Sequence, residues 1–281
     1  MGAVGTHVSE EQKRFFEQEG YLVVKGVYSR AEVEQVNEEY FKFWLDLMAS
    51  GKIQQDSKRP LESVFPRLRD YHRENETVTK FIIDPRLMEI MEYLLGEPIL
   101  VIQTSYYFKT PGTRGLPYHQ DNYSIGVVPD TTYAAWVSLD PSDQENGGLS
   151  FVRKTQQFEL LSPKVVPETV SVYGQMIEVP EGYETVEVTT EPGDVVIFNG
   201  NILHGSSENF SRHRFRRVLV THYARESMEK ITLNYNYLIN KRGERVRKLL
   251  NPEPKVLETK NNIFEFRNAT YFDQIIKRNE K

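Results

Sequence analysis

Three residues of this sequence have the types and the spacing of a metal site. His119 and Asp121 are separated by one residue, so on a β-strand the imidazole and the carboxylate would point to the same face. His204 follows the apolar, strand-like run 195–198 and could supply a third ligand. Two histidines and one carboxylate form the triad of non-haem Fe(II) oxygenases, which leaves coordination positions open for a co-substrate and O2. The pattern therefore predicts oxidative chemistry at an iron ion.

A basic pair near the third ligand adds a second element of chemistry. Arg216 and Arg217 stand at the start of another apolar run. A guanidinium that faces a pocket can bind both oxygens of a carboxylate through its forked N–H groups. An iron triad together with such a carboxylate anchor describes a site for 2-oxoglutarate.

The sequence resembles the phytanoyl-CoA dioxygenase family of Fe(II)/2-oxoglutarate oxygenases. The resemblance begins in the segment 9–27 and covers about four fifths of the chain in the order that the family has. It is carried by the motifs QTSYYFK (103–109), YHQDN (118–122), AWVSLD (135–140), ENGGL (145–149), PGD (192–194), HGS (204–206) and RR (216–217).

The resemblance implies a role for each residue that matches a family motif. His119, Asp121 and His204 would hold Fe(II), and no catalytic residue is expected beyond these ligands. The spacing after His204 is one residue longer than usual, so Arg214 and Arg217 compete with Arg216 as the anchor of 2-oxoglutarate. The remaining implied roles are co-substrate binding by Arg216, Ser206, Tyr107 and Trp136, and substrate contacts by Gln103, Asn122 and Tyr123.

The carboxylate at position 121 bears on the reaction. In related halogenases a small residue replaces it, so its presence here implies oxygen insertion by means of Fe(II), 2-oxoglutarate and O2. We expect hydroxylation of a small or medium-sized metabolite or natural-product intermediate, with desaturation and ring closure left open. The alternatives are a fatty acyl-CoA substrate, a cupin-type metal isomerase, and a jelly-roll protein that binds 2-oxoglutarate or another metabolite without turnover.

Composition limits the class of protein. The chain has 281 residues, 39% of them hydrophobic, and no linker-like stretch, which predicts one large domain. A net charge of -5 argues against a nucleic-acid partner, and no apolar run is long enough to span a membrane. The absence of cysteine excludes disulfides and fits a reducing compartment. We expect a cytoplasmic monomer or homodimer with a small-molecule substrate.

The local patterns predict helices first and strands afterwards. Capping signatures at Ser9 and Ser29 indicate helices that reach about residues 19 and 48, with a strand at 21–24 between them. A third helix is expected at 85–95, followed by short strands at 100–108, 133–139, 149–152, 185–189, 195–198 and 218–223. Many short strands predict a closed or double-sheet β architecture. The resemblance narrows this to a mainly β protein with flanking helices and a double-stranded β-helix core, the cupin-like jelly roll.

The chain can be divided accordingly. We expect a mostly helical N-terminal part at 1–98, a jelly-roll core at 99–225 and a C-terminal extension at 226–281. The irregular segments 49–76 and 160–184 are the candidates for covering the active site, because long irregular segments inside a compact domain tend to be lids or binding loops. The alternative is that they are mobile excursions at the surface.

Overall fold

The computed structural model describes residues 8–167 and 175–251, together with the backbone of a short strand at 265–266. The three predicted helices and the strand between the first two are confirmed. The α-helices of the described part are α1 (Glu10–Glu19), α2 (Arg30–Ala49), α3 (Pro60–Val64), α4 (Glu76–Ile82), α5 (Pro85–Leu95) and α6 (Asn122–Ile125). Single 3-10 turns lie at Tyr71–Arg73 and Leu233–Tyr235.

Local sequence sets the ends of the long helices. Ser9 and Ser29 cap α1 and α2 through capping boxes, in which the residue three positions later bonds back to the backbone of the serine. Gly20 and Gly96 end α1 and α5 in the left-handed conformation, with φ of 83° and 78°. Sequence patterns therefore located these helices to within one or two residues.

The strands follow the predicted runs closely, and several short ones were not predicted. The long strands are buried over most of their length, as the apolar runs indicated. In chain order the strands are β1 (Tyr21–Val24), β2 (Arg67–Arg69), β3 (Ile99–Tyr107), β4 (Leu116–His119), β5 (Thr132–Ser138), β6 (Leu149–Val152), β7 (Lys164–Val165), β8 (Gln175–Met176), β9 (Thr185–Val188), β10 (Val195–Asn199), β11 (His204–Ser206), β12 (Val218–Arg225), β13 (Lys230–Ile231), β14 (Leu238–Ile239), β15 (Arg245–Val246), β16 (Leu249–Leu250) and β17 (Glu265–Phe266).

Two sheets form the predicted double-stranded β-helix. The main sheet has the order β1-β10-β5-β12-β3-β14-β15, with β2 also paired to β3 and β17 paired to β2. The second sheet has the order β4-β11-β6-β9. The pairs β1–β10, β10–β5, β5–β12 and β12–β3 are all antiparallel, as a jelly roll requires.

The main sheet has two different faces, because successive side chains of a strand point to opposite sides. One face packs under the helices, through residues such as Tyr106, Val137 and Leu219. The other face meets the second sheet, where Trp136 and Val220 of the main sheet share a cluster with Leu149 and Phe151. The candidate site lies on this inner face, between the two sheets.

The three predicted parts of the chain all contribute to the main sheet. Strands β1 and β2 come from the N-terminal part, and β14 and β15 come from the C-terminal extension. Within that extension, residues 252–264 and 267–281 lie outside the described residues. The division into one domain with these boundaries stays a prediction. Among the described helices, none is both long and apolar enough to cross a membrane.

Candidate metal centre and co-substrate pocket

The three predicted metal ligands come together between the sheets. His119 and His204 face each other as partners in the antiparallel pair β4–β11, and their ring centroids are 4.2 Å apart. Nε2 of His119 lies 3.4 Å from Oδ1 of Asp121, and Nε2 of His204 lies 3.5 Å from Oδ2. One donor atom from each residue lies within 4.8 Å of the other two. This group could hold a metal ion.

Asp121 reaches the site by a different route from the one that the spacing suggested. Strand β4 ends at His119, and Asp121 has helical angles, φ -61° and ψ -39°, at the start of α6. The backbone N–H of Asn122 donates to the carbonyl of Gly200 at 3.1 Å, which ties this turn to the loop that leads to His204. The premise of a continuous strand was therefore wrong, and a strand end followed by a helical turn brings the carboxylate into place.

Backbone carbonyls orient both imidazoles. Nδ1 of His119 lies 2.9 Å from the carbonyl oxygen of Pro117, and Nδ1 of His204 lies 3.0 Å from that of Ile202. Because a carbonyl oxygen only accepts hydrogen bonds, each Nδ1 carries the proton and each Nε2 keeps its lone pair. Both lone pairs belong to the atoms that face Asp121, which is the arrangement that a metal-binding histidine requires.

The protonation states also suit a metal ion. Burial lowers the pKa of His204 to about 4, so its ring is neutral at neutral pH. Burial alone would raise the pKa of Asp121, but electrostatic interactions with His204 and His222 outweigh burial and hold that pKa well below the ordinary value. A carboxylate and a neutral imidazole are the forms that coordinate metals.

A cavity of about 290 Å³ extends from the triad to Arg216. Ser206, Tyr107 and Trp136 also line it, so the predicted co-substrate residues lie on the same cavity as the triad. Nε of Arg216 donates to the carbonyl of Gly147 at 3.1 Å, and its guanidinium lies 5.6 Å from the Trp136 ring centroid. Burial lowers the pKa of Arg216 to about 10, so it remains a cation at neutral pH.

The two competing arginines are occupied elsewhere. Arg214 forms a bidentate pair with Asp143, with both N–O distances 2.8 Å, and a further bond to Glu145. Arg217 pairs with Asp140 through Nε and Nη2 at 2.8 and 2.6 Å. Of the three arginines only Arg216 lines the cavity, so the geometry favours it as the anchor.

Lys109 is a further basic side chain of this pocket, and sequence reasoning missed it. It is 6% exposed, and its Nζ donates to Oγ of Ser206 at 2.8 Å and to the carbonyl of Ser207. Burial and, next, the charge of Arg216 lower the pKa of Lys109 well below the usual value. In the part of the chain that the structure describes, neither Lys109 nor Arg216 has a carboxylate as an ion-pair partner. A bound anion would stabilise the charged forms of both side chains, so this pair favours the binding of an anion.

The predicted substrate contacts divide into two groups. Gln103 and Tyr123 line the cavity, whereas Asn122 does not. The Asn122 amide instead accepts from the backbone N–H of Val127 at 2.9 Å and points toward the carbonyls of Val127 and Asp130. Asn122 therefore fastens the turn after α6, and the prediction that it meets the substrate is corrected.

His222 also lies at the site, in addition to the three predicted ligands. It lines the cavity, and its Nε2 is 2.9 Å from Oδ2 of Asp121. The period of two along β12 could have indicated this position. Counted in steps of two residues from Arg216, Val220 and His222 lie on the same face of the strand. The signal is visible only once Arg216 is known to face inward.

Both irregular segments reach the cavity. Glu62 and Phe65 represent the segment 49–76, and Met176 and Ile177 represent the segment 160–184. Residues 168–174 of the second segment lie outside the described residues. The described parts of both segments thus form part of the cavity wall, which favours the covering role over a surface excursion.

Comparison with protein families decides the assignment. The family model of phytanoyl-CoA dioxygenase (PhyH) matches residues 16–218. This chain belongs to the phytanoyl-CoA dioxygenase family. The peroxisomal phytanoyl-CoA dioxygenase of Bos taurus is 26% identical over 234 residues, covering 77% of this chain and 68% of that protein. A 2-aminoethylphosphonate dioxygenase from an uncultured bacterium is 24% identical over 234 residues, covering 82% of this chain and 87% of that protein.

The fold is shared with solved structures. EctD from S. alaskensis, in its complex with 2-oxoglutarate and 5-hydroxyectoine, has a TM-score of 0.63 at 19% identity and covers 82% of this chain and 80% of its own. The predicted family and the jelly-roll fold are thereby confirmed. This phytanoyl-CoA dioxygenase family member is an Fe(II)- and 2-oxoglutarate-dependent dioxygenase, with Fe(II), 2-oxoglutarate and O2 as its cofactor and co-substrates. The isomerase and the non-catalytic binding protein are therefore set aside.

Proposed function

We propose that this enzyme hydroxylates an unactivated C–H bond of a small or medium-sized metabolite or natural-product intermediate. The balanced reaction converts the substrate R–H, 2-oxoglutarate and O2 into R–OH, succinate and CO2. One observation carries the proposal: Asp121 stands with His119 and His204 on the wall of the cavity that Arg216 also lines. A site with this carboxylate in place is suited to oxygen insertion.

In the proposed site, His119, Asp121 and His204 hold Fe(II). When bound, the iron couples the oxidative decarboxylation of 2-oxoglutarate to the oxidation of the substrate C–H bond. The donor set fits this ion, because two imidazoles and one carboxylate leave three positions for the co-substrate and O2.

Arg216 and Lys109 are proposed to bind the distal carboxylate of 2-oxoglutarate together with Ser206. The contact of 2.8 Å between Lys109 Nζ and Ser206 Oγ supports a shared role of this amine and hydroxyl in binding the carboxylate, and the buried guanidinium of Arg216 would add a forked donor. Tyr107 and Trp136 line the space beside them. Because these groups are buried, their attraction for an anion is stronger than it would be in water.

The cavity size favours a small substrate over a fatty acyl-CoA. Typical ligand pockets have volumes of roughly 300–1,000 Å³, and the cavity of about 290 Å³ must also accept 2-oxoglutarate. A CoA thioester would have to leave most of its atoms outside. We therefore place a compact metabolite against Gln103 and Tyr123, which line the cavity near the triad. Cytoplasmic location and a monomeric or homodimeric state stay predictions.

The test is a substrate screen with two linked products. Full-length enzyme, Fe(II) and 2-oxoglutarate are incubated with fractionated metabolite extracts, in isotopically labelled O2 or without oxygen. We expect succinate to form only with O2, with one labelled atom in succinate and one in a product that is one oxygen atom heavier than a component of the extract. Labelled succinate together with a product that is lighter by two hydrogens would show that the enzyme catalyses desaturation or ring closure instead of hydroxylation. Turnover of fatty acyl-CoA alone would overturn the proposed substrate class.

A further inference from the structure

A row of hydrogen bonds runs from Asp121 into the main sheet. Nε2 of His222 lies 2.9 Å from Oδ2 of Asp121, and Nδ1 of His222 lies 3.2 Å from Nε2 of Gln103. Oε1 of Gln103 in turn accepts a hydrogen bond from Nη2 of Arg69. His222, Gln103 and Arg69 are 5%, 3% and 3% exposed, so these three side chains are buried.

Arg69 fixes the direction of every bond in this row. A guanidinium can only donate, so Gln103 accepts through Oε1 and presents its amide N–H groups to His222. Nδ1 of His222 must then be the acceptor. In the neutral imidazole the proton consequently lies on Nε2, and Nε2–H donates to Oδ2 of Asp121.

The strands of the main sheet hold the row in place. His222 and Gln103 are direct partners in the pair β12–β3, and Arg69 is the partner of Ser105 in the pair β2–β3. Directly opposite residues on neighbouring strands project from the same face and touch. The guanidinium of Arg69 also lies 5.5 Å from the ring centroid of Tyr235. The row therefore belongs to one sheet, whereas His119 and His204 belong to the other.

We propose that His222 is a positioning residue of the iron site. Its Nε2–H holds Oδ2 of Asp121, so that the carboxylate offers the metal a single oxygen and leaves positions for 2-oxoglutarate and O2. A carboxylate that bound through both oxygens would occupy one more position. This inference rests on the proposed iron triad. Arg69 and Gln103 act through His222, because they determine which of its nitrogens bears the proton.

Two other roles of His222 give different expectations. As an additional metal ligand, His222 would need an unprotonated Nε2, which contradicts the direction that Arg69 imposes. As a packing residue, it would contribute to the free energy of unfolding but not to iron binding. Outer hydrogen bonds to a metal ligand typically change metal affinity roughly tenfold to hundredfold. Iron affinity therefore separates the three roles.

The experiment measures anaerobic Fe(II) affinity and the charge-transfer absorption of the Fe(II)–2-oxoglutarate complex in full-length variants. His222→Leu should weaken Fe(II) binding by about ten- to hundredfold and shift the absorption band. His222→Gln, which retains an N–H donor, should stay within about threefold of the unsubstituted enzyme. His72→Leu is the matched control, because His72 is an equally buried histidine that does not line the cavity, and it should leave both readouts unchanged.

Unchanged iron affinity in His222→Leu would show that the residue only packs. An equal loss in His222→Gln and His222→Leu would identify His222 as a ligand. Both results overturn the proposal. If His222→Leu does not fold, Gln103→Met provides the second variant; it removes the donor to Nδ1 and should weaken Fe(II) binding by about two- to tenfold.

Nitrogen NMR of the zinc-loaded, otherwise unaltered enzyme provides an independent readout. The proposal requires a protonated Nε2 and an unprotonated Nδ1 in His222, and the reverse tautomer or a metal-bound Nε2 would refute it. Failure of the proposed function looks different. Absence of any Fe(II) binding by the unsubstituted enzyme refutes the triad, whereas the expected His222 effects without a hydroxylated product refute only the proposed reaction.

Discussion

Lys109 and Arg216 bring two basic side chains to one wall of the cavity, where little water reaches them. The hydrogen-bond partners of both are neutral groups: Ser206 and the carbonyl of Ser207 for Lys109, and the carbonyl of Gly147 for Arg216. Bringing an isolated buried cation out of water is costly, and a bound carboxylate offsets that cost. The free energy of binding 2-oxoglutarate should therefore come largely from these two residues.

Substitution of the anchor tests this assignment. Arg216→Ala should raise the Kd of 2-oxoglutarate at least about thirtyfold, on the order of 2 kcal/mol, since a buried charged partner is lost. Lys109→Met should raise it by about tenfold. Isothermal titration of the anaerobic Fe(II) enzyme measures both values. The controls Arg214→Ala and Arg217→Ala remove arginines that pair with Asp143 and Asp140, and should change the Kd less than about twofold. A larger effect in either control would move the anchor to that arginine.

The carboxylate ligand makes the sharpest single-residue prediction. Asp121→Ala should abolish tight Fe(II) binding and succinate formation, because it removes the charged member of the triad. The Tm of the metal-free protein should fall while the fold persists, since the substitution removes a carboxylate whose pKa is held well below the ordinary value and takes away the acceptor of the His222 hydrogen bond. Asp143→Ala, at a partly exposed pair with Arg214, is the control. Normal iron affinity in Asp121→Ala would contradict the triad.

The strands that carry the two histidines approach each other unusually closely. A Cβ atom added to Gly205 of β11 would lie 2.6 Å from the carbonyl oxygen of Leu116 in β4. A Cβ atom on Gly115 would lie 2.6 Å from the carbonyl oxygen of Ser206. Glycine at these two positions allows the backbones to meet, and their separation sets the distance between His119 and His204.

Gly205→Ala should therefore push β4 away from β11 and disturb the metal site. We expect a loss of about 1–3 kcal/mol in the free energy of unfolding and an iron affinity at least about tenfold lower. Gly26→Ala is the comparison: its φ of 61° makes alanine strained, but its Cβ would meet nothing within 4 Å. That variant should lose about 1 kcal/mol and keep its iron affinity. Parallel denaturation and iron titrations distinguish a lesion of the site from a general loss of stability.

The regular elements could be predicted from the sequence, and the irregular ones that carry the ligands could not. Capping boxes, glycine stops and apolar runs located α1, α2, α5 and the long strands. Strand β4 has no alternating burial, and β11 has three residues, so neither has a periodic signal. The helical turn at Asp121 depends on Gly200, a distant residue in sequence, and no local pattern encodes that contact.

The three arginines near the pocket show the same limit of sequence-based prediction. Arg214, Arg216 and Arg217 lie within four positions, and only tertiary partners distinguish them. A loop about seventy residues earlier in the chain supplies Asp140, Asp143 and Glu145, which form ion pairs with two of the three arginines. Lys109 escaped notice because lysine is almost never fully buried, so its type pointed to the surface.

The stability of the whole molecule should depend on pH through a histidine far from the chemistry. His72 is 2% exposed, its Nδ1 lies 2.9 Å from Oγ1 of Thr104, and its Nε2 is buried without a hydrogen-bond partner among the described residues. Burial lowers its pKa from 6.5 to about 4. Between these values the His72 imidazole is protonated in the unfolded chain and neutral in the folded chain. The free energy of unfolding therefore falls as the pH decreases from about 6.5 toward 4.

This single group can contribute about 3 kcal/mol over that interval. Urea unfolding of the metal-free protein between about pH 4.5 and 7.5 measures the dependence. His72→Leu should have a visibly flatter profile than the unsubstituted protein in this window. Identical slopes for the two proteins would show that the acid sensitivity originates in other groups.

The cavity walls come from two kinds of structural element, and substitutions in each kind should affect a different property of the enzyme. The groups proposed for the metal and for 2-oxoglutarate stand on sheet strands or directly beside them, whereas Phe65, Pro163 and Met176 come from the two irregular segments. Exchange or saturation mutagenesis of those segments should alter which compound is oxidised, while the basal consumption of 2-oxoglutarate without substrate persists. Divergence of substrate range can then proceed by replacing segments at the surface, with the oxidative half of the reaction inherited unchanged.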